Sequence, residues 1–336
     1  MVRAKLVRNT VMGGSMRVSI ATLLALVTLT PAAQAGSPLP GRIEIHAVKS
    51  RTLTGEEFLR ADAPGREVVL GGELRLPVGA PQKVPVVILV HGSGGISAGP
   101  DAWARTLNEA GVGAFILDTF TGRGIVSTIE NQEQLNSLAM MVDAYRALDV
   151  LAAHPRVRAD RIAIMGFSKG AVAAVYSATE RFRTTYGGTN RFAAHIGFYT
   201  PCNVTYRDDT KVGPAPIRLF HGISDDYVSV VPCRDFVARL KAAGADITLT
   251  EYLDAQHSFD TPTSPPLVEV PKAQSTRNCR LTEGADGTID NAVTGKPYKL
   301  DADACVATGA HVGHNPTATA AARDAVVEFV RTVLQP

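Results

Sequence analysis

The 336-residue sequence has few of the features that mark specialised protein classes. Charged residues make up 20% of it, and 34 basic against 32 acidic residues leave a net charge of only +2. This balance gives no basic excess for binding nucleic acid. With 45% hydrophobic residues, 30 glycines and 20 prolines, the composition also excludes a collagen-like, coiled-coil or wholly disordered chain. The length allows one large α/β domain or two ordinary ones.

The N-terminal segment, residues 1–35, contains no acidic residue and resembles a secretory signal peptide. A basic start precedes an apolar run at 18–29, and the segment ends in Ala-Gln-Ala at 33–35, a small-x-small cleavage site. The run of 12 residues is shorter than the roughly 20 needed to span a bilayer, which argues against an anchor. Met1 or Met16 could be the true start. We therefore expect residues 36–336 to be periplasmic or secreted, with no stable membrane anchor after signal removal.

The chain has only four cysteines, all in its second half: Cys202, Cys233, Cys279 and Cys305. An even number in an exported protein predicts disulfides, and three pairings are possible. We favour the local pairing of the first with the second and the third with the fourth. Zinc is the competing interpretation, but no C-x-x-C pair exists and the spacings match no common structural site. We expect no metal.

Apolar runs alternate with helical patterns along the mature chain. Residues 84–90 are nearly all apolar, which suits a parallel strand buried on both faces. Further strands are predicted at 42–48, 67–76, 113–117, 161–165, 194–199, 217–221 and 247–252, and helices at 102–110, 132–153, 170–180, 231–243 and 317–334. Repeated β-α units predict a single α/β domain over 36–336, with a mostly parallel central sheet and helices on both faces. The polar, turn-rich segment at about 261–315 is predicted to be an irregular insertion held by its own disulfide.

A nucleophile motif lies between a predicted strand and a predicted helix, where residues 166–170 read Gly-Phe-Ser-Lys-Gly. This G-x-S-x-G pattern holds a serine on a sharp turn, and the flanking glycines avoid collisions with neighbouring backbone. Ser168 is therefore the predicted nucleophile. The backbone amide of Lys169, at the helix N-terminus, is a predicted oxyanion donor.

A serine nucleophile needs a base and an acid, which in this strand-turn-helix context follow it in the order Ser, acid, His. His257 lies just after the last predicted strand and is the predicted base, and Asp225, in the turn after the strand at 217–221, is the predicted acid. Asp226 is its neighbour in the same turn. The other histidines are weaker candidates for the base. His311 and His314 lie in the predicted insertion, and His91 and His221 end predicted strands, where a structural role is expected.

Other residues at the same edge of the sheet are candidates for binding substrate. The loop at 91–95 reads His-Gly-Ser-Gly-Gly, so Ser93 or Gly94 could supply the second oxyanion amide. A dinucleotide-binding loop is disfavoured because the third glycine of that motif is replaced by serine at position 97. Arg123 could hold a substrate carboxylate, the alternative being a structural ion pair with Asp118 or another acid. The remaining candidates are Phe167 and Tyr227, which could line an acyl pocket or pack in the buried core.

With these motifs in place, the chain resembles the α/β-hydrolase superfamily and, more narrowly, the dienelactone hydrolase family. The resemblance covers most of 84–334, and its strongest motifs are at 91–95, 166–170, 222–226 and 257–260. It implies Ser168, Asp225 and His257 as the triad, and a small ester or lactone as substrate. The sequence departs from the namesake enzymes, which carry cysteine as nucleophile, and this favours a general carboxylic ester hydrolase. The segment after Phe259 is longer than in the family.

The leading interpretation is an exported serine hydrolase that cleaves esters or lactones through an acyl-enzyme and needs no cofactor. A peptidase of the prolyl-oligopeptidase type is an alternative, but only 48 residues separate the predicted cleavage site from the strand at 84–90, too few for the large extra domain of such enzymes. A binding protein on an inactive scaffold is a third possibility. It would predict a missing triad residue, and none is missing.

Overall fold

An eight-stranded sheet forms the centre of the chain in the computed structural model, which describes residues 41–80 and 82–336. In spatial order its strands are β1 (Arg42–Thr52), β2 (Arg66–Leu76), β4 (Gly113–Asp118), β3 (Val84–Val90), β5 (Val157–Phe167), β6 (His195–Phe198), β8 (Ile217–Gly222) and β9 (Ile247–Tyr252). The pairs β1–β2 and β2–β4 are antiparallel, and the other five pairs are parallel. The predicted signal peptide at 1–35 lies outside the described residues.

Helices cover both faces of this sheet. They are α1 (Gly55–Arg60), α2 (Ala98–Glu109), α3 (Ser137–Ala152), α4 (Lys169–Tyr176), α5 (Glu180–Tyr186), α6 (Val231–Ala242) and α7 (Pro316–Leu334). The predicted α/β architecture is therefore confirmed. None of the helices in the described ranges is both long and apolar enough to cross a bilayer.

The central strand β3 is apolar at every position because both of its faces are buried. Val86, Ile88 and Val90 belong to the core on the face covered by α3, α4 and α6. Val87 and Leu89 point the other way, into the core beneath α2 and α7. Because successive side chains in a strand point to opposite faces, a strand buried on both faces must be apolar at every position.

Two predicted helices are shorter in the structure than in the sequence-based prediction. The helix expected at 132–153 begins at Ser137, because the Asn136 side chain caps it by accepting the Leu138 N–H at 2.8 Å. A separate 3-10 turn, Gln132–Gln134, precedes it. The helix expected at 170–180 ends at Tyr176, and α5 starts at Glu180.

The segment at 261–315 contains regular structure, so the expectation of an irregular insertion was wrong in that respect. Strands β10 (Val268–Ser275) and β14 (Ala307–Val312) pair antiparallel. Strands β11 (Leu281–Glu283), β12 (Ile289–Asn291) and β13 (Lys296–Pro297) form a second small sheet with β7 (Val204–Thr205). The favoured disulfide pairing is present: Cys279 bonds to Cys305 inside the insertion, and Cys202 bonds to Cys233.

The insertion is hydrogen-bonded to the turn that follows β8. The carboxylate of Asp226 accepts from the backbone N–H of His311 at 2.7 Å and lies 2.8 Å from its Nδ1. Arg277 Nη1 donates to the Asp226 carbonyl at 2.7 Å, and the Ser275 hydroxyl donates to the Tyr227 carbonyl at 2.7 Å. The turn containing Asp225 is therefore held in place by β10 and β14 rather than by the central sheet alone.

Removal of the disulfide in the insertion is expected to lower the free energy of unfolding. The bond links residues 26 positions apart, and cross-links of this span stabilise by about 2–4 kcal/mol. The double variant Cys279→Ser/Cys305→Ser should therefore unfold at lower urea concentration than the wild type, measured by circular dichroism without reductant. Equal unfolding free energies for the two proteins would contradict this prediction.

Candidate active site

Ser168 lies on a very sharp turn between β5 and α4. Its φ is +52°, in the left-handed region that a side chain rarely adopts. The two flanking glycines make this turn possible. A Cβ on Gly166 would lie 2.2 Å from the carbonyl oxygen of Gly170, and a Cβ on Gly170 would lie 2.3 Å from the carbonyl oxygen of Val90. The glycines of the motif are thus required by close backbone contacts.

Three side chains predicted to act together meet at the carboxyl ends of the parallel strands. His257 Nε2 lies 3.0 Å from the Oγ of Ser168, and His257 Nδ1 lies 2.8 Å from Oδ2 of Asp225. The aspartate lies in the turn after β8 and the histidine in the loop after β9, which is paired with β8. All three residues are buried. The geometry is that of a nucleophile, a base and an acid linked by hydrogen bonds.

The Asp225 carboxylate is held in its ionised form. Its Oδ1 accepts the backbone N–H groups of Tyr227 at 2.9 Å and Val228 at 2.8 Å. Burial opposes ionisation, but the interactions with His257 and His221 outweigh it and hold the pKa of Asp225 well below its ordinary value. With an ionised carboxylate on Nδ1, the imidazole carries its proton there and presents Nε2 as an acceptor to the Ser168 hydroxyl.

A cavity of about 310 Å³ opens onto the Ser168 hydroxyl and the His257 imidazole. Four more of the predicted residues line it: Ser93, Gly94, Phe167 and Tyr227. Lys169 is the first residue of α4, so its backbone N–H lies at the end of the helix where amides have no intrahelical partner. Two residues of the predicted oxyanion hole, Ser93 and Gly94, therefore lie at the same cavity as Ser168 and His257.

Sequence reasoning missed several side chains of this cavity. The Tyr199 ring lies 4.5 Å from the His257 ring, and its hydroxyl donates to Asp260 at 2.9 Å. It ends the strand predicted at 194–199, so its position at this edge of the sheet could have indicated it. Val270 and Val312 also line the cavity, but they come from the insertion, where no periodic pattern indicated a strand.

Arg123 does not reach the cavity, and the substrate-binding role predicted for it is wrong. Its side chain is 1% exposed and pairs with the fully buried Asp143, with Nη1–Oδ2 and Nη2–Oδ1 distances of 2.8 and 2.9 Å. Its Nε donates to the Thr52 hydroxyl at 2.7 Å, and backbone carbonyls take up further N–H groups. The alternative, a structural ion pair, is correct, although the acid is Asp143 and not Asp118.

One group of side chains in the described ranges could offer three ligand atoms to a metal ion: Glu44, His46 and His154 lie with these atoms within 4.8 Å of one another. The hydrogen bonds favour a different role. Nδ1 of His154 accepts the backbone N–H of Arg156 at 3.2 Å, so its Nε2 carries the proton and donates to Glu44 at 3.0 Å. A metal ligand needs that nitrogen's lone pair. We therefore interpret the contact between Glu44 and His154 as a hydrogen bond that joins β1 to the loop after α3.

Comparisons with known proteins agree with the fold described above. The model of the "Dienelactone hydrolase family" matches residues 70–284. A Bradyrhizobium sp protein named "Probable 2-oxo-3-(5-oxofuran-2-ylidene)propanoate lactonase" is 28% identical over 192 residues, 53% of this chain and 74% of that protein. The structure of a dienelactone hydrolase-like promiscuous phosphotriesterase from metagenomic libraries has a TM-score of 0.57 at 18% identity, covering 87% of this chain and 99% of that chain. An esterase of Thermogutta terrifontis has a TM-score of 0.46 at 16% identity, covering 66% of this chain and 84% of that one.

Replacement of Arg123 by alanine is expected to destabilise the fold without weakening substrate binding. It would leave the Asp143 carboxylate buried and unpaired, which costs about 3–5 kcal/mol. Urea unfolding should show this loss of stability. The KM for ester substrates, measured on the folded fraction of the variant, should stay within twofold of the wild-type value. The matched control is Arg123→Met/Asp143→Leu, which removes both charges and should recover most of the stability. A raised KM at unchanged stability would restore the substrate-binding role.

Proposed function

The chain belongs to the dienelactone hydrolase family of ester and lactone hydrolases, and we propose that it is an exported serine esterase for small neutral substrates. The observation that carries the proposal is the hydrogen-bonded series Asp225–His257–Ser168, which ends at the apolar cavity. An ionised carboxylate, an imidazole and a hydroxyl in this order are what acyl transfer to serine requires.

In the proposed mechanism, the Ser168 Oγ attacks the ester carbonyl carbon while His257 Nε2 takes the hydroxyl proton. Asp225 stabilises the imidazolium that forms. The negative oxygen of the tetrahedral intermediate accepts hydrogen bonds from the amide of Lys169 and from that of Ser93 or Gly94. The C–O bond to the leaving group then breaks, and the alkoxide takes the proton from His257. Water attacks the acyl-enzyme in the same way, with His257 as base, which releases the acid and regenerates Ser168.

The cavity lining supports a neutral substrate. Its apolar residues include Ile129, Phe167, Val270 and Val312, and its polar groups other than the triad are mainly hydroxyls. Within the described chain, no Asp, Glu, Lys or Arg side chain lines it. A carboxylate placed there would lose its hydration without gaining a cationic partner, and such burial is costly. The relative from Bradyrhizobium is named for a propanoate substrate, and we propose that this chain differs from it in the charge of its substrate.

Export is part of the proposal because of the two disulfides. The cytosol keeps thiols reduced, so paired cysteines are typical of proteins that fold outside it. Together with the signal-like segment at 1–35, they support a periplasmic or secreted location.

The variant Ser168→Ala is expected to lose at least 1,000-fold in kcat for p-nitrophenyl butyrate, because no other hydroxyl is hydrogen-bonded to His257 in the described structure. Circular dichroism should show an unchanged fold. Ser137→Ala, at the start of α3 and away from the cavity, is the control and should keep wild-type turnover. Wild-type turnover by the Ser168 variant would refute the proposed nucleophile.

The charge of the acyl group is expected to change kcat/KM strongly when its length is kept similar. The kcat/KM for p-nitrophenyl pentanoate is expected to exceed that for the p-nitrophenyl monoester of succinate by more than tenfold, although the acyl groups are similar in length. Thr263→Lys places a cation in the cavity lining and should narrow this difference. Equal or faster hydrolysis of the anionic ester by the wild type would contradict the proposed substrate class.

A further inference from the structure

The side chain of Lys169 is buried beside the nucleophile with no acidic partner. The residue is 5% exposed, and its Nζ donates to two oxygens of one residue, the carbonyl of Gln132 at 2.8 Å and Oε1 of the same residue at 2.9 Å. It forms no ion pair with any carboxylate of the described chain. Burial of an ammonium group without a carboxylate is unfavourable, and an apolar side chain of similar length would avoid the cost.

Gln132 connects this lysine to the other side of the proposed oxyanion hole. Its Oε1, which accepts from Lys169, also accepts from the Ser93 hydroxyl at 3.0 Å. Its backbone N–H donates to Oε1 of Gln274 on β10 at 2.9 Å, which fixes Gln132 against the insertion. The loop after β3 and the start of α4 thus share one hydrogen-bonded side chain.

We propose that Lys169 and Gln132 are positioning residues that set the separation of the two oxyanion donors. This inference rests on the serine hydrolase function proposed above. The donors belong to separate loops, after β3 and after β5, and each N–H must lie 2.7–3.1 Å from the oxyanion. The amino group of Lys169, which donates to Oε1 of Gln132, holds the Ser93 loop at a fixed distance from the α4 N-terminus. The side chain of Lys169 therefore acts through the loop that contains Ser93 and Gly94, in addition to the role of the Lys169 amide.

The electrostatics of Lys169 agree with a functional role that costs stability. Burial lowers the pKa of Lys169 to about 7, from about 10.4 in an unfolded chain. Because the folded state disfavours the charged form, the destabilisation is complete below pH 7 and shrinks as the pH rises toward the unfolded value. His91, at the end of β3, also interacts with this charge, and burial lowers the pKa of His91, so it adds little charge of its own at neutral pH.

The test replaces Lys169 by methionine, which keeps the length and removes the charge and both hydrogen bonds. We expect kcat for p-nitrophenyl butyrate to fall 10- to 100-fold, with KM within threefold of wild type. The thermal unfolding midpoint at pH 6 should be equal to or above that of the wild type. A residue that only stabilises the fold would give the opposite, a lower midpoint and unchanged kcat per folded molecule. Lys241→Met, on the exposed side of α6, is the control and should change neither quantity.

A double-mutant cycle tests whether Lys169 acts through Ser93. Ser93→Ala removes the hydroxyl that bonds to Gln132 but keeps the backbone amide, and it should lower kcat about three- to tenfold. The double variant Lys169→Met/Ser93→Ala should be no slower than Lys169→Met alone. If the kcat losses of the two single variants multiply in the double variant, Lys169 does not act through Ser93. An unchanged kcat in Lys169→Met would overturn the whole inference.

Two further measurements keep the test decisive. If Lys169→Met does not fold, Gln132→Leu removes the shared Oε1 acceptor and should give the same loss of kcat at unchanged KM, and an unchanged kcat would refute the proposal. The activity of the wild type distinguishes a failure of this proposal from a failure of the function on which it rests. A wild type that hydrolyses no ester would refute the proposed function, whereas an active wild type matched by the Lys169 variant would refute only the positioning role.

Discussion

The left-handed backbone conformation of Ser168 is the constraint on which the rest of the site depends. It lets β5 turn into α4 within one residue, so that the Ser168 hydroxyl faces the cavity and the helix begins at the next residue. The turn exists because Gly166 and Gly170 allow backbone contacts that any side chain would prevent. His257 and Asp225 then need only to follow neighbouring strands, whose carboxyl ends meet at the same edge of the sheet.

The parts of the fold and site that follow from local pattern could be predicted from the sequence. The bounds of β3 and β9 match the predicted ones, and the chain order of nucleophile, acid and base placed three distant residues together. Arg123 shows the limit of such reasoning. Its loop lies at the predicted edge of the sheet, where the parallel strands end. The direction of its side chain, however, depends on Asp143, a buried acid on α3 that no local sequence pattern connects to it. Helix α1 was missed although its capping box, Thr54 to Glu57, is a visible signal.

The insertion could not be predicted because its order comes from long-range contacts. Its sequence is polar and aperiodic, yet β10 and β14 form against the Asp226 turn and are held by hydrogen bonds from His311 and Arg277. In return it supplies Val270 and Val312 to the cavity wall. The parallel sheet thus positions Ser168, Asp225 and His257, while the insertion supplies part of the cavity wall. An element of this kind can change specificity without altering the catalytic geometry.

The proposed function depends on Ser168 being a nucleophile that His257 activates. It is tested most directly by mapping the residue that a fluorophosphonate modifies, using mass spectrometry of the digested protein. We expect one phosphonyl group, on the peptide containing Ser168, and loss of this modification in the variant His257→Ala. Modification at another residue, or an active enzyme that the reagent leaves unmodified, would contradict it.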